Sequence, residues 1–187
     1  MNASEALEKL KQGNERLVSG RAEVSGRVDT VNTDLAKGQS PYAIILGCAD
    51  SRVPIDIVFD AGLGELFVIR VAGNVANTSS IASVEYAVVH LGAKLIVVLG
   101  HESCGAVSAA MAGGDAGKNL NTLLDYIRPA LDPPEDDVNV VARRNARNSA
   151  SRLLEQSDIL LDAVESGEVE IVTAFYRFSD GKVEFDE

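Results

Sequence analysis

Three short apolar runs constrain this chain more than any other feature: AIILG at 43–47, LFVIRV at 66–71 and LIVVLG at 95–100. Each is apolar on both faces of an extended chain and rich in β-branched residues, the pattern of a parallel strand buried on both sides. Such strands need helices above and below them, and the intervals supply helical patterns. Ser79 or Ser80 can cap a segment in which Ile81, Val84, Val88 and Leu91 recur at three- and four-residue steps. NLNTLLDYIRPAL repeats the pattern with Leu120, Leu123, Leu124 and Ile127, and an acidic, proline-bearing turn from Asp132 to Asp137 precedes a long helix through Val141, Leu153 and Leu154. At the amino end, Asn2 with Glu5 three residues on resembles a capping box; Leu7, Leu10 and Leu17 keep helical spacing, and Gly20 is a stop. Near the carboxyl end, EIVTAFYRF and KVEF flank Ser179-Asp180-Gly181, a hairpin signal. The expected fold is α/β: a single domain over 1–187 with a central, mostly parallel β-sheet flanked by helices, a C-terminal hairpin and an N-terminal helical arm over about 1–38. In such sheets the ligand site lies at the carboxyl ends of the strands.

Charge narrows the function classes. The chain has 28 acidic against 17 basic residues in 187, a formal net charge of -11. A nucleic-acid backbone and an anionic membrane surface both want the opposite sign, so neither is an expected partner. The first twenty residues are amphipathic and mixed in charge, without the apolar core of a signal peptide, and no apolar run approaches the roughly 20 residues of a membrane span. The expected compartment is the reducing cytoplasm, where the two cysteines, Cys48 and Cys104, are free for chemistry rather than bridged.

Two strand ends carry that chemistry. The first run exits into Cys48-Ala49-Asp50-Ser51-Arg52 and the third into His101-Glu102-Ser103-Cys104-Gly105. As parallel neighbours these corners meet at one edge of the sheet, and a helix starting at the second would put His101 and Cys104 on one side of its first turn. Two thiols and an imidazole are a zinc set, and three ligands leave the fourth position open, as catalytic zinc requires. Either cysteine alone reads more readily as core, but the three together use both strand ends and every cysteine in the chain. Two thiolates cancel the zinc charge, so a bound water is acidified less than in an all-histidine site, and a neighbour must favour hydroxide. Asp50 can accept its proton, and Arg52 can pair with Asp50, hold it ionised and keep it off the metal. His90, within VEYAVVHLG, reads as structural.

Cys-x-Asp-Ser-Arg followed by His-x-x-Cys-Gly, at this spacing, resembles the β-class carbonic anhydrases, over most of the chain. The resemblance implies one zinc ion per chain on Cys48, His101 and Cys104, the Asp50–Arg52 dyad, and reversible hydration of carbon dioxide to bicarbonate by zinc-bound hydroxide. It also assigns the substrate pocket to Gln39 in GQSP, Phe67 in GELFVIR and Tyr86 in VEYAV, largely across a subunit boundary, which makes a homodimer, or a tetramer built from it, the expected partner state. Phe67 would offer apolar surface to carbon dioxide and Gln39 an amide to the oxygen that gains charge. Gly105 would let the backbone approach closely. The chain departs from the family at Arg70-Val71-Ala72-Gly73-Asn74, where many members read Arg-Asn-Val-Ala-Asn. The members regulated by a non-catalytic bicarbonate site carry a tryptophan where Ile45 stands, and this chain has none.

Two rival functions fit some of the same residues. A hydrolase of carbon disulfide or carbonyl sulfide would use the same zinc chemistry. A non-catalytic, zinc-stabilised interaction module would instead show a closed site with Asp50 as fourth ligand. A dinucleotide enzyme is a poor fit, since Gly62-Leu63-Gly64 lacks the third glycine.

Overall fold

The computed structural model describes residues 1–23 and 36–186. Five strands form one sheet in the order β2-β1-β3-β4-β5: β1 (Ala43–Gly47), β2 (Leu66–Arg70), β3 (Leu95–His101), β4 (Glu170–Tyr176) and β5 (Val183–Phe185). The first four are parallel, and β5 returns antiparallel to β4. All five residues of β1 and all seven of β3 are buried, as two-sided strands should be, whereas β2, expected to be the same, is half-buried and ends on exposed Arg70 because it lies at the sheet edge.

Alternation along these strands builds two cores. Ile45, Val97 and Leu99 face α1 (Ala3–Val18), where Ala6 and Leu10 meet them beside Val58 of α2 (Ile55–Val58). Ile44, Leu46, Ile96 and Val98 face the opposite way, onto Ile81, Val84 and Ala87 of α3 (Thr78–Leu91). α4 (Gly105–Ala112), α5 (Lys118–Ile127), α6 (Val138–Glu155) and α7 (Asp158–Glu165) complete the layers. Val107, Leu124, Ile127 and Val141 close a third cluster over the carboxyl ends of the strands, and it contains both cysteines. No helix among the described residues is long and apolar enough to cross a membrane.

The capping box at Asn2 and Glu5 forms as read, and α1 stops just before Gly20, whose φ is 70°. Residues 24–35 of the expected helical arm lie outside the described residues. The cap of α3 differs from expectation. Asn77, not Ser79 or Ser80, is the N-cap, and Ser80 answers it from the third helical position by reciprocal hydrogen bonds. The sequence pattern missed this because Ser80 is buried in the box rather than standing outside the helix.

α1 crosses α2 so closely that Gly13 has no room for a side chain. A Cβ there would stand 1.9 Å from the Phe59 carbonyl oxygen, a backbone atom that cannot step aside. Gly13→Ala is therefore expected to destabilise the fold by about 3 kcal/mol, despite the better helix propensity of alanine. Urea denaturation checks this; an unchanged midpoint would contradict it.

Candidate metal centre

β1 and β3 are neighbours with Gly47 opposite Leu99, so Cys48 and His101 leave the sheet at the same end. His101 is the last residue of β3, not part of a helix as the spacing suggested. The ladder to β4 continues through His101 and Tyr176, and Glu102 N–H donates to the Tyr176 carbonyl at 2.9 Å, which keeps the chain extended. The reversal comes at Ser103, at φ 52°, whose N–H donates to Asn139 Oδ1 at 2.8 Å. Cys104 then stands as N-cap of α4, and Gly105 opens the helix.

These turns converge three ligand atoms. The Cys48 and Cys104 sulfurs and a ring nitrogen of His101 lie within 4.8 Å of one another, and all three residues are buried. Zinc–sulfur bonds of 2.3 Å would put tetrahedral corners about 3.8 Å apart, so a small contraction brings this set onto zinc. The histidine is already oriented. Its Nδ1 lies 2.9 Å from the Glu102 carbonyl, which can only accept, so the proton sits there and the lone pair belongs to Nε2. Nε2 is buried and has no hydrogen-bond partner among the described residues, an arrangement that costs energy unless a cation takes the lone pair. A soft donor set with one uncompensated buried nitrogen fits zinc.

Backbone amides support the sulfur charge. Gly73 N–H donates to Cys48 Sγ at 3.3 Å from a turn with φ 70°. A Cβ at Gly73 would press to 2.7 Å from Ile127 Cδ1, and Asn145 Nδ2 holds the Gly73 carbonyl at 2.7 Å. A hydrogen bond from Cys104 pulls the Cys48 thiol far below its ordinary range, with the Gly73 amide adding to it. The same bond, together with burial, pushes the Cys104 thiol up. Cys48 is thus the thiol of the pair that ionises more readily, the form in which a thiol ligates metal.

Asp50 and Arg52 form the pair read from the sequence. Arg52 Nε donates to Asp50 Oδ1 at 3.0 Å and Nη2 to Oδ2 at 2.8 Å, a bidentate fork, and the Arg52 amide donates to Oδ1 as well. The guanidinium reaches Ser103 O at 3.1 Å, tying the two strand-end loops together. Asp50 Oδ2 faces the ligand set at 3.9 Å from His101 Nε2, too far for a hydrogen bond. The fork holds the Asp50 carboxyl well below the usual carboxylate range.

Other expected site residues lie elsewhere on the chain. Gln39 is exposed and precedes β1, at the end of that strand opposite Cys48. Phe67 on β2 pairs with Ile44 of β1, and Tyr86, 48% exposed on α3, packs its ring 6.2 Å from that of Phe67. His90, read as structural, is exposed on α3 with its ring 5.0 Å from that of Tyr86. None of the four joins the ligand cluster of this chain. Gly105 does sit beside it, and nothing lies within 4 Å of the place a Cβ would occupy, so packing alone does not demand glycine there.

Sequence reasoning missed several supports of the site. Arg70 bonds the Cys48 and Asp50 carbonyls from β2, at 3.0 and 2.6 Å. Gly73 and Asn145 hold the Cys48 sulfur as described above. Phe178 places its ring 4.4 Å from the Arg52 guanidinium and 5.5 Å from His101. The only sequence signal for Phe178 was an aromatic residue at a hairpin, which by itself says nothing about a site.

The carbonic anhydrase family profile matches residues 43–183. Carbonic anhydrase 2 of Mycobacterium tuberculosis is 38% identical over 189 residues, covering 97% of this chain and 91% of the relative. A carbonic anhydrase of Mycolicibacterium smegmatis is 34% identical over 191 residues, with 98% and 93% covered. Among solved structures, the β-carbonic anhydrase CcaA superposes with a TM-score of 0.74 at 26% identity, over 92% of this chain and 94% of that one. A tetrameric β-carbonic anhydrase of the ascomycete Sordaria macrospora gives 0.72 at 25% identity, over 97% and 96%.

Proposed function

Because the chain belongs to the β-class carbonic anhydrases, and is therefore a carbonate dehydratase, we propose that it hydrates carbon dioxide reversibly on one zinc ion held by Cys48, His101 and Cys104, with Asp50 and Arg52 as its working dyad. The observation that carries the reading is the buried Nε2 of His101, without a hydrogen-bond partner among the described residues and beside two thiols. Zinc there supplies a Lewis acid that lets water ionise near neutral pH. The chain's own residues do the rest. Asp50 Oδ2 presents a carboxylate lone pair toward the ligand set, where it accepts the O–H of the attacking oxygen and so aims that oxygen's lone pair outward. Arg52 occupies the other carboxylate positions and keeps Asp50 from becoming a ligand itself.

The fork also sets the pH behaviour. A carboxyl whose folded pKa is depressed contributes its pairing above the ordinary value of about 3.9, and loses it only as pH falls below that. Asp50 thus stays ionised through the working range, and a loss of rate between about pH 8 and pH 6 does not report its protonation.

The substrate pocket we assign to a second copy of the chain. Gln39, Phe67 and Tyr86 lie away from this chain's own ligand cluster. β2 is an edge strand with no outer partner among the described residues, and Tyr86 and Val89 expose apolar surface on the adjoining helix. The tetrameric state of the Sordaria relative supports assembly. Sedimentation velocity at assay concentration is expected to give a dimer or a multiple of it; a fully active monomer would contradict the shared pocket.

Carbonyl sulfide is the close chemical rival. Stopped-flow hydration of carbon dioxide and hydrolysis of carbonyl sulfide, measured on one preparation, are expected to favour carbon dioxide, and the reverse order overturns the assignment. A closed, non-catalytic zinc module is disfavoured because Arg52 takes both Asp50 oxygens and the carboxylate stands outside the group of ligand atoms that lie within 4.8 Å of one another.

A further inference from the structure

The turn between β4 and β5 reaches back over the site. Glu102, whose carbonyl accepts the hydrogen bond from His101 Nδ1, accepts the amides of Phe178 and Ser179 on its Oε2, at 2.7 and 3.1 Å. The other side of the turn is anchored on α1. Asn14 donates to the Gly181 carbonyl at 2.9 Å and accepts the Val183 amide at 2.8 Å, while also donating to Val58 O. Pinned from both sides, the turn carries the Phe178 ring to 4.4 Å from the Arg52 guanidinium, with the Tyr176 ring edge-on behind it at 5.6 Å.

Arg52 needs such a brace. Its side chain is 52% exposed, and a long exposed arginine has many rotamers that abandon a carboxylate two residues away. A planar guanidinium stacked on an aromatic face keeps its fork in one plane, and the attraction between cation and ring adds to the two carboxylate bonds. We propose that Phe178 is a positioning residue for the hydration reaction: carried by the C-terminal hairpin, its ring fixes Arg52 in the pose that forks Asp50, and so sets how firmly Asp50 is kept off the metal. This rests on the dyad reading above. It gives the hairpin, far from the ligands in sequence, a role in keeping the site open.

The test compares rings and bulk. Phe178→Leu keeps apolar volume and removes the ring, whereas Phe178→Tyr keeps the face. Phe178→Leu is expected to retain its full zinc content and to lose about fivefold in kcat/KM for carbon dioxide. It should lose a similar factor in azide affinity, read on cobalt-substituted protein by visible absorption, because Asp50 then competes with azide for the open position. Phe178→Tyr restores both. In an Arg52→Lys background, which cannot form the stacked fork, Phe178→Leu is expected to add nothing. Additive losses, or a Phe178→Leu protein with parental rate and azide affinity, overturn the proposal while leaving the dyad intact. An Arg52→Lys protein with an unchanged rate removes the dyad, and the proposal falls with it. If Phe178→Leu does not fold, Phe178→Met carries the same comparison.

Discussion

Arg52→Ala is expected to lower kcat/KM for carbon dioxide hydration by about a hundredfold or more, while zinc content stays near one ion per chain. None of the three ligands changes, so metal capture survives. What is lost is the fork on Asp50, two charge-assisted hydrogen bonds of 3.0 and 2.8 Å. The freed carboxylate has one strong cationic partner left. Its Oδ2 already lies 3.9 Å from His101 Nε2, so a small rotation would let it serve as a fourth protein ligand to a metal held there. Four protein ligands make a structural site with no place for a nucleophile. Stopped-flow rates beside elemental analysis check the result. A near-native rate would remove the dyad from the mechanism, and a loss of zinc in proportion to activity would make Arg52 a folding residue instead.

Cys48→Ser is expected to lose the metal itself, and hydration with it. A serine hydroxyl does not ionise at neutral pH and is a poor partner for a borderline-soft cation. Cys48 is also the more acidic thiol of the pair, lowered first by the hydrogen bond from Cys104 and then by the Gly73 amide. Removing it leaves a Cys104 thiol without its anionic neighbour and one imidazole, too few donors for tight binding. Elemental analysis of freshly purified, never-chelated variant protein is expected to find less than about a tenth of an ion per chain. A full complement of zinc would mean that the metal sits elsewhere.

Much of this was legible in the sequence, for a physical reason. Strands buried on both faces must be apolar at every position, so β1 and β3 announce themselves. Parallel pairing then forces Cys48 and His101 to one sheet end. The dyad was legible because its partners lie two residues apart, where a short loop lets a guanidinium fold back on a carboxylate. What escaped notice depends on contacts distant in sequence. Gly73, 25 residues beyond Cys48, supplies the amide to its sulfur, and Asn145 reaches Gly73 across another 72. Phe178 meets Arg52 only because two anchored ends fold the hairpin over the site. His101 was placed on a helix turn because three-residue spacing suits one; the ladder to Tyr176 extends the strand and defeats that local preference. Gln39, Phe67 and Tyr86 are placed by family resemblance alone, since the pocket proposed for them, completed by a second copy, would leave no spacing signal within one chain.

The most direct test of the central claim is to measure zinc content and carbon dioxide hydration on the same purified, never-chelated protein, before and after removal and return of the metal. The account predicts one zinc per chain, hydration far above the buffer rate, loss of both on chelation, and recovery of both when zinc is restored. Protein that contains no zinc as purified, or that hydrates carbon dioxide equally well once stripped of metal, would contradict it.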